Sequence, residues 1–134
     1  KEKANSITIA NRTLENANNL LEFAKKIGLE ANAIKIEDVN DLVKDYDIIV
    51  NATSVGLKNE PSPISLEGIN EKTIVYDIVY MPMNTDFIKK AKEKKAVIIY
   101  GYEMLLGQAA RSFEIWHDME PPYNAMKKAL LGGF

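Results

Sequence analysis

The most constraining feature of this sequence is an alternation of short β-branched or aliphatic runs with segments whose apolar residues recur at helical spacing. The first run, residues 6–11, is followed by helical spacing from Leu14 to Ile27, with Thr13 placed as an N-cap and Gly28 where a helix ends. Parallel neighbours in a sheet need such crossover connections. The alternation therefore predicts an α/β fold, Rossmann-like, with a mostly parallel sheet and helices on both faces.

The same pattern continues to the end of the sequence. The predicted strands are residues 6–11, 33–36, 47–51, 73–77 and 96–100, and we expect the third of them to be buried on both faces. After the first helix, the predicted helices are residues 37–44, 86–94, 103–116 and 123–131. A length of 134 residues is the size of one core, so residues 1–134 are predicted to form a single domain.

Composition excludes several classes of function. The 17 basic and 19 acidic residues are scattered, which leaves a net charge of −2 and no basic patch for nucleic acid. Without cysteine, and with one histidine, the chain is expected to hold no disulfide and no thiolate or histidine-rich metal site. No apolar run is long enough for a membrane helix and no signal segment is recognisable, so we expect a cytoplasmic protein with no membrane partner.

Polar residues collect where the predicted strands end, at residues 11–13, 51–56, 77–80 and at Gly101. In open α/β sheets the ligand lies beyond the carboxyl ends of the strands, so these clusters predict one site. Arg12 could donate two parallel hydrogen bonds to a phosphate, or it could be a solvated residue beside a helix cap. Met104 and Gln108 share a helical face and could meet one ligand, or Met104 could be core filler.

The residues at these positions could also serve the fold without binding a ligand. Residues 51–56 could also form an ordinary polar turn, and Tyr80 could pack in the core with its hydroxyl at the surface. His117 is expected to be a surface or capping residue. The expected buried stripe of the helix at residues 103–116 is Leu105, Ala109, Phe113 and Trp116.

Four motifs combine in one order along the chain. They are Asn11-Arg12-Thr13 after a strand, the loop of residues 51–56 (NATSVG), the segment of residues 77–82 (DIVYMP) with a threonine shortly after, and Gly101 followed by Met104, Leu105 and Gln108. Together they resemble the nucleotide-binding half of the shikimate dehydrogenase family. The resemblance extends from about Ser6 to the end of the chain.

The resemblance implies a role for each matching residue. Asn11, Arg12 and Thr13 would hold the adenosine 2′-phosphate of NADP, with Asn16 at the position where the family usually has a second basic residue, so that NAD stays open as the cofactor. Thr53 and Ser54 would lie along the cofactor, Ile78 and Met104 would flank the nicotinamide, and the backbone of Gly101 would meet the carboxamide. Tyr80 and Gln108 would contact shikimate.

The family also has parts that do not precede Lys1: a substrate domain with a catalytic lysine and aspartate, the first Rossmann strand and a glycine-rich phosphate loop. The sheet is therefore expected to lack its central strand and to leave two inner edges unpaired, which favours a homo-oligomer or an N-terminal half supplied in cis or in trans. No catalytic residue is expected in this chain, and the chain alone is expected to be inactive.

The resemblance thus implies the NADP-binding portion of an enzyme that reversibly reduces 3-dehydroshikimate to shikimate with NADPH, in aromatic amino-acid biosynthesis. Two alternatives remain open. One is a non-catalytic nucleotide-binding or assembly half. The other is a quinate/shikimate dehydrogenase that uses NAD.

Overall fold

A computed structural model describes residues 4–132 of the chain. The described residues divide into two compact units. The first unit runs up to Asp45 and includes Pro63–Gly68, and the second holds Tyr46–Ser62 and the residues from Ile69 onward. The expectation of one domain over the whole chain stays a prediction.

The first unit is a parallel strand pair joined by a helix. β1 (Ile7–Asn11) pairs with β2 (Ala31–Lys35) in the register Ile7 to Ala31. α1 (Leu14–Lys26) connects the two strands and packs against both, with Ala17 and Ala24 buried. The predicted alternation of strand and helix is confirmed here, because the apolar residues of the segment do recur on one helical face.

The helix predicted for residues 37–44 is wrong. Two short 3₁₀ helices, Ile36–Asp41 and Val43–Asp45, occupy that segment and bury Val39 and Val43. The segment is rich in valine, aspartate and asparagine, which are weak helix formers. Asn40 also uses its side-chain oxygen to accept the Ser65 backbone N–H at 2.8 Å, which ties the segment to residues 63–68.

The second unit contains a three-stranded parallel sheet in the order β3-β4-β5. Its strands are β3 (Ile48–Asn51), β4 (Ile74–Asp77) and β5 (Val97–Ile99). α2 (Asp86–Glu93) follows the N-cap Thr85 and packs on β4 and β5 through Phe87, Ile88 and Ala91. β4 is the central strand, so the residues at its carboxyl end have a neighbour on both sides.

Helices α3 (Gly101–His117) and α4 (Tyr123–Leu131) pack against each other at the end of the chain. The stripe expected to be buried on α3 is wrong: the buried residues are Gly101, Leu106 and Ala110, and Trp116 is 77% exposed. α3 and α4 border an apolar cavity of about 340 Å³ lined by residues that include Phe113, Trp116 and Met126.

β1 and β3 each have an edge that no described strand pairs. Among residues 4–132, β1 pairs with β2 only and β3 pairs with β4 only, as the expected absence of a central strand requires. The expectation that β3 is buried on both faces is wrong within this part of the chain, since Ile48 is 56% exposed and Val50 is 49% exposed. No described element covers the face on which these two side chains lie.

Candidate functional site

The carboxyl ends of β3 and β4 meet at one edge of the second unit's sheet. The parallel register places Asn51, the last residue of β3, opposite Asp77, the last residue of β4. Their side chains are hydrogen-bonded, with Asn51 Nδ2 donating to Asp77 Oδ1 at 2.9 Å. The two loops that leave these strands therefore start from a common polar contact.

The Asp77 side chain is fully buried, yet both of its carboxyl oxygens have hydrogen-bond partners. Oδ1 accepts from Asn51 Nδ2 and from the Val79 backbone N–H at 3.0 Å, and Oδ2 is bonded to Thr85 Oγ1 at 2.5 Å. A buried carboxyl group without such partners would be costly. This one instead joins three chain segments: the end of β3, the turn after β4 and the start of α2.

Thr85 extends this network into α2 and toward the loop after β3. Its hydroxyl oxygen accepts the Ile88 backbone N–H at 3.2 Å, which caps the helix. Its methyl group lies against Gly56: a Cβ on Gly56 would stand 2.8 Å from Thr85 Cγ2, and the φ of Gly56 is +108°. Only glycine fits at position 56, for both reasons.

The loop after β3 is held by its own side chains. Asn51 Oδ1 accepts from the Thr53 backbone N–H at 3.2 Å and from Thr53 Oγ1 at 2.7 Å. Thr53 Oγ1 in turn accepts the Val55 backbone N–H at 3.1 Å. Ser54 follows in the exposed turn, where its carbonyl accepts the Leu57 N–H at 3.2 Å. These bonds fix where Thr53 and Ser54 lie.

Glu60 braces the far side of the same loop. Its Oε2 accepts the backbone N–H of Gly56 at 3.0 Å and that of Lys58 at 2.8 Å. Hydrogen bonds from backbone N–H groups, first its own and then that of Lys58, hold the pKa of Glu60 below its ordinary value. The charged carboxylate therefore supports the loop above that lowered pKa, and the support is lost as the pH falls through it.

The start of α3 lies directly against the turn after β4. A Cβ on Gly101 would stand 2.7 Å from the Ile78 carbonyl oxygen and 2.6 Å from the Val79 carbonyl group, so no larger residue fits there. The structure thus brings together Ile78 and Gly101, two of the predicted cofactor-contacting positions. The Glu103 side chain accepts the Tyr100 N–H at 3.1 Å and stabilises this end of the helix.

The other predicted residues of this unit lie on the same two elements. Tyr80 follows Ile78 in the turn and is 43% exposed. Met104, half-buried, and Gln108, exposed, lie one turn apart on α3. His117 is exposed, as expected, and its ring lies 4.5 Å from that of Phe113.

The residues predicted to hold a phosphate lie together in the first unit. Asn11 ends β1, and its Oδ1 accepts the Thr13 backbone N–H at 2.9 Å. Thr13 is the residue before α1, but its hydroxyl makes no capping bond, and Asn16 is exposed in the first turn of the helix. Arg12 is exposed and has no ion pair within residues 4–132. Two polar groups, the Arg12 guanidinium and the Thr13 hydroxyl, are therefore available beside a helix start.

Asn51, Asp77 and Thr85 organise this edge of the sheet, and the sequence interpretation named them only as parts of motifs. A signal was present, since Asn51 and Asp77 each end a run of aliphatic residues. That signal predicts a ligand-facing side chain as readily as an internal one, and here Asp77 is internal.

No group of three or more residues that could hold a metal ion occurs in the described chain, and none of its helices could span a membrane.

Comparison with known proteins identifies the family. The sequence model described as "Shikimate / quinate 5-dehydrogenase" matches residues 1–81, more than half of the chain. This chain belongs to the shikimate/quinate 5-dehydrogenase family. The model "Shikimate 5'-dehydrogenase C-terminal domain" matches residues 101–131, which include the whole of α3 and α4.

Individual members of the shikimate/quinate 5-dehydrogenase family resemble the chain over nearly its whole length. The shikimate dehydrogenase (NADP(+)) of Nitrosopumilus maritimus is 78% identical over 134 residues, which is 100% of this chain and 49% of that protein. The Thermus thermophilus shikimate 5-dehydrogenase in complex with NADP(H) and shikimate has a TM-score of 0.76 and 32% identity, over 95% of this chain and 46% of that one.

A third protein shows the fold alone. The quinate dehydrogenase from Corynebacterium glutamicum in complex with NAD has a TM-score of 0.84 and 24% identity, covering 96% of this chain and 46% of that one. The expected Rossmann-like α/β fold is therefore confirmed. The chain spans about half the length of the curated relatives it matches.

The Asp77 network predicts a specific order of stability among threonine variants. Thr85→Val keeps the shape of the side chain but removes the hydroxyl, which leaves Asp77 Oδ2 and the Ile88 N–H without their partner. The free energy of unfolding should therefore fall by about 1–3 kcal/mol. Thr85→Ser keeps the hydroxyl and should cost less than about 1 kcal/mol. Urea unfolding followed by circular dichroism measures both.

Thr73→Val is the matched control. Thr73 is also buried, just before the other end of β4, but its hydroxyl accepts only a long bond of 3.4 Å from Asn70. We expect Thr73→Val to lower the free energy of unfolding by less than about 1 kcal/mol. Equal losses for Thr85→Val and Thr73→Val would contradict a special role for the Asp77 network.

Proposed function

We propose that this chain is the NADP-binding portion of a shikimate dehydrogenase, which reversibly reduces 3-dehydroshikimate to shikimate. The observation that carries the proposal is the contact of the Ile78–Val79 peptide with Gly101, since it joins two of the four motif segments at one edge of the sheet. Support also comes from the Nitrosopumilus maritimus and Thermus thermophilus relatives, whose names include NADP(+) and NADP(H). When bound, NADPH supplies the hydride.

The first unit holds the adenosine 2′-phosphate in this proposal. The residues present fit a phosphate group, because the Arg12 guanidinium is exposed without an ion pair in the described chain and the Thr13 hydroxyl makes no capping bond. A guanidinium can donate two parallel bonds to phosphate oxygens, and a helix start favours an anion. Asn11 and Asn16 contribute amide groups on either side.

The second unit positions the nicotinamide and the substrate. Ile78 and Met104 contribute apolar surface to the nicotinamide, and the backbone of Gly101 meets the carboxamide. Thr53 and Ser54 lie along the cofactor on the loop after β3. Tyr80 and Gln108, both exposed, contact shikimate or 3-dehydroshikimate through a hydroxyl and an amide.

Reduction of a ketone also needs a group that donates the proton of the new hydroxyl, and the reverse reaction needs a group that accepts it. The resemblance attributes that group to a catalytic lysine and aspartate of the family's substrate domain, which no segment of this chain matches. We therefore propose that the 134 residues need the other half of the enzyme, in cis or in trans, and that alone they do not turn over substrate. Assembly with a second copy through the free strand edges remains part of this proposal.

Turnover by a completed protein tests the function. The chain is fused to the part of the Nitrosopumilus maritimus relative that it does not cover, and their 78% identity favours correct docking. This joined protein should oxidise NADPH with 3-dehydroshikimate, followed by nicotinamide absorbance, and the 134 residues alone should not. NADPH binding without turnover by the joined protein would favour a non-catalytic nucleotide-binding half instead.

Arg12→Ala in the joined protein tests the choice of cofactor. Loss of a charge-assisted contact to phosphate should weaken NADP binding by about 1.5–3 kcal/mol and leave NAD binding nearly unchanged. Calorimetric titration with each cofactor measures both affinities.

Arg111→Ala is the control, because Arg111 is the only other arginine of the chain and is paired with Glu114 at 2.6 Å on α3. It should leave both affinities unchanged. If Arg12→Ala weakened NADP and NAD equally, Arg12 would not be a phosphate ligand. Comparable affinity for both cofactors in the unmodified protein would instead support the NAD-using alternative, which Asn16 in place of a basic residue favours.

A further inference from the structure

The Thr53 side chain is exposed, yet most of its hydrogen-bonding capacity is already used within its own loop. Its Oγ1 lies 2.7 Å from Asn51 Oδ1, and the Val55 backbone N–H donates to it at 3.1 Å. A threonine hydroxyl has one hydrogen to donate and two lone pairs to accept with. What remains for a ligand depends on which way the hydrogen points.

The Asn51 amide decides that direction, and its orientation is fixed by two backbone groups. The Val55 carbonyl can only accept, so the amide group 3.1 Å away from it is the NH₂. The Thr53 backbone N–H can only donate, so the amide atom 3.2 Å away from it is the oxygen. Both contacts give the same orientation.

Asp77 reinforces this orientation from inside the fold. Its Oδ1 accepts the Val79 N–H and lies 2.9 Å from Asn51 Nδ2, so the second hydrogen of the Asn51 amide points to Asp77. Reversing the amide would place oxygen against both Val55 O and Asp77 Oδ1 and would break each of these bonds. Asn51 Oδ1 therefore faces Thr53 as an acceptor, and the Thr53 hydroxyl must donate to it.

One lone pair of Thr53 Oγ1 remains. We propose that Thr53 contacts its ligand only as a hydrogen-bond acceptor, so the ligand group that meets it is a hydroxyl or an amine N–H and not a phosphate oxygen. Asn51 and Asp77 are positioning residues for this contact. The inference rests on the proposed function, because the loop after β3 lies along the cofactor in that proposal.

NADP offers three kinds of donor: the ribose hydroxyls, the carboxamide NH₂ and the adenine NH₂. The shared chemistry is a neutral donor, and analogues of NADP separate its sources. Deoxyribose analogues remove the hydroxyls one at a time, the acetylpyridine analogue removes the carboxamide NH₂, and the deaminated analogue removes the adenine NH₂. NAD lacks the 2′-phosphate, so it tests whether that phosphate is the partner of Thr53.

The experiment combines these ligands with variants of Thr53 in the joined protein. Thr53→Val should weaken NADP binding roughly 3- to 10-fold in calorimetric titration, since it removes one neutral hydrogen bond. Thr53→Ser keeps the oxygen and should bind NADP within about 2-fold of the unmodified protein. Thr73→Val, which changes a buried threonine at the opposite end of β4, should leave the affinity unchanged.

The decisive result is coupling between ligand and variant. For one donor-deleted analogue, Thr53→Val and the unmodified protein should bind equally well, because the partner of Thr53 is absent. A loss that is the same for NADP and every donor-deleted analogue would show a distorted loop and overturn the inference. So would coupling with NAD, or unchanged NADP affinity in Thr53→Val.

The same titrations distinguish this inference from the function on which it rests. If the unmodified joined protein bound no NADP and no NAD, the proposed function would fail and the inference with it. Binding by the unmodified protein without coupling at Thr53 would overturn the inference alone.

Discussion

The buried hydrogen bonds of Asp77 are the interaction on which the second unit's site depends. A carboxyl group removed from water is tolerated only where donors replace the water, and its donors here come from three segments of the chain: Asn51, Val79 and Thr85. Because each segment leads into a different loop or helix, satisfying one side chain fixes the start of all three. Residues 53 and 54, the turn at 78–80 and the N-terminus of α2 are thereby positioned together.

Two glycines complete this arrangement by allowing close approach. Gly56 lies against the Thr85 methyl group and Gly101 against the Ile78–Val79 peptide, where a larger residue would collide. The site is thus built from short strands whose ends coincide and from segments that approach each other closely at glycines. This explains why a glycine ends the motif after β3 and why a glycine opens α3.

Much of this fold could be predicted from sequence, because its alternation of strand and helix is expressed in local residue patterns. All five strands occur within one or two residues of their expected positions. The failures have particular causes. Residues 37–44 carry a helical spacing of Val39 and Val43, but asparagine and aspartate between them favour tighter turns. The α3 stripe was expected to be buried because it is apolar, whereas exposure of Trp116 depends on which elements lie beside it.

The sequence predicts which polar clusters form the site, but not which of their residues contact each other. Strand ends can be located from sequence, but the pairing of Asn51 with Asp77 is a property of the parallel register, and the reach of Thr85 back to Asp77 depends on the turn between them. The assignments of individual residues to cofactor and substrate therefore came from the family resemblance and stay predictions. For the second unit they share one requirement, which is that a single ligand contacts the loop after β3, the turn after β4 and the start of α3.

The most direct test of that claim is nuclear magnetic resonance of the ¹⁵N-labelled joined protein titrated with NADP. The amide signals of residues 53–56, 78–80 and 101–104 should shift together with one dissociation constant, and the signals of α4 should not move. Shifts confined to the apolar face of α3 and α4, or different dissociation constants for the three segments, would contradict a single cofactor site at the carboxyl ends of β3 and β4.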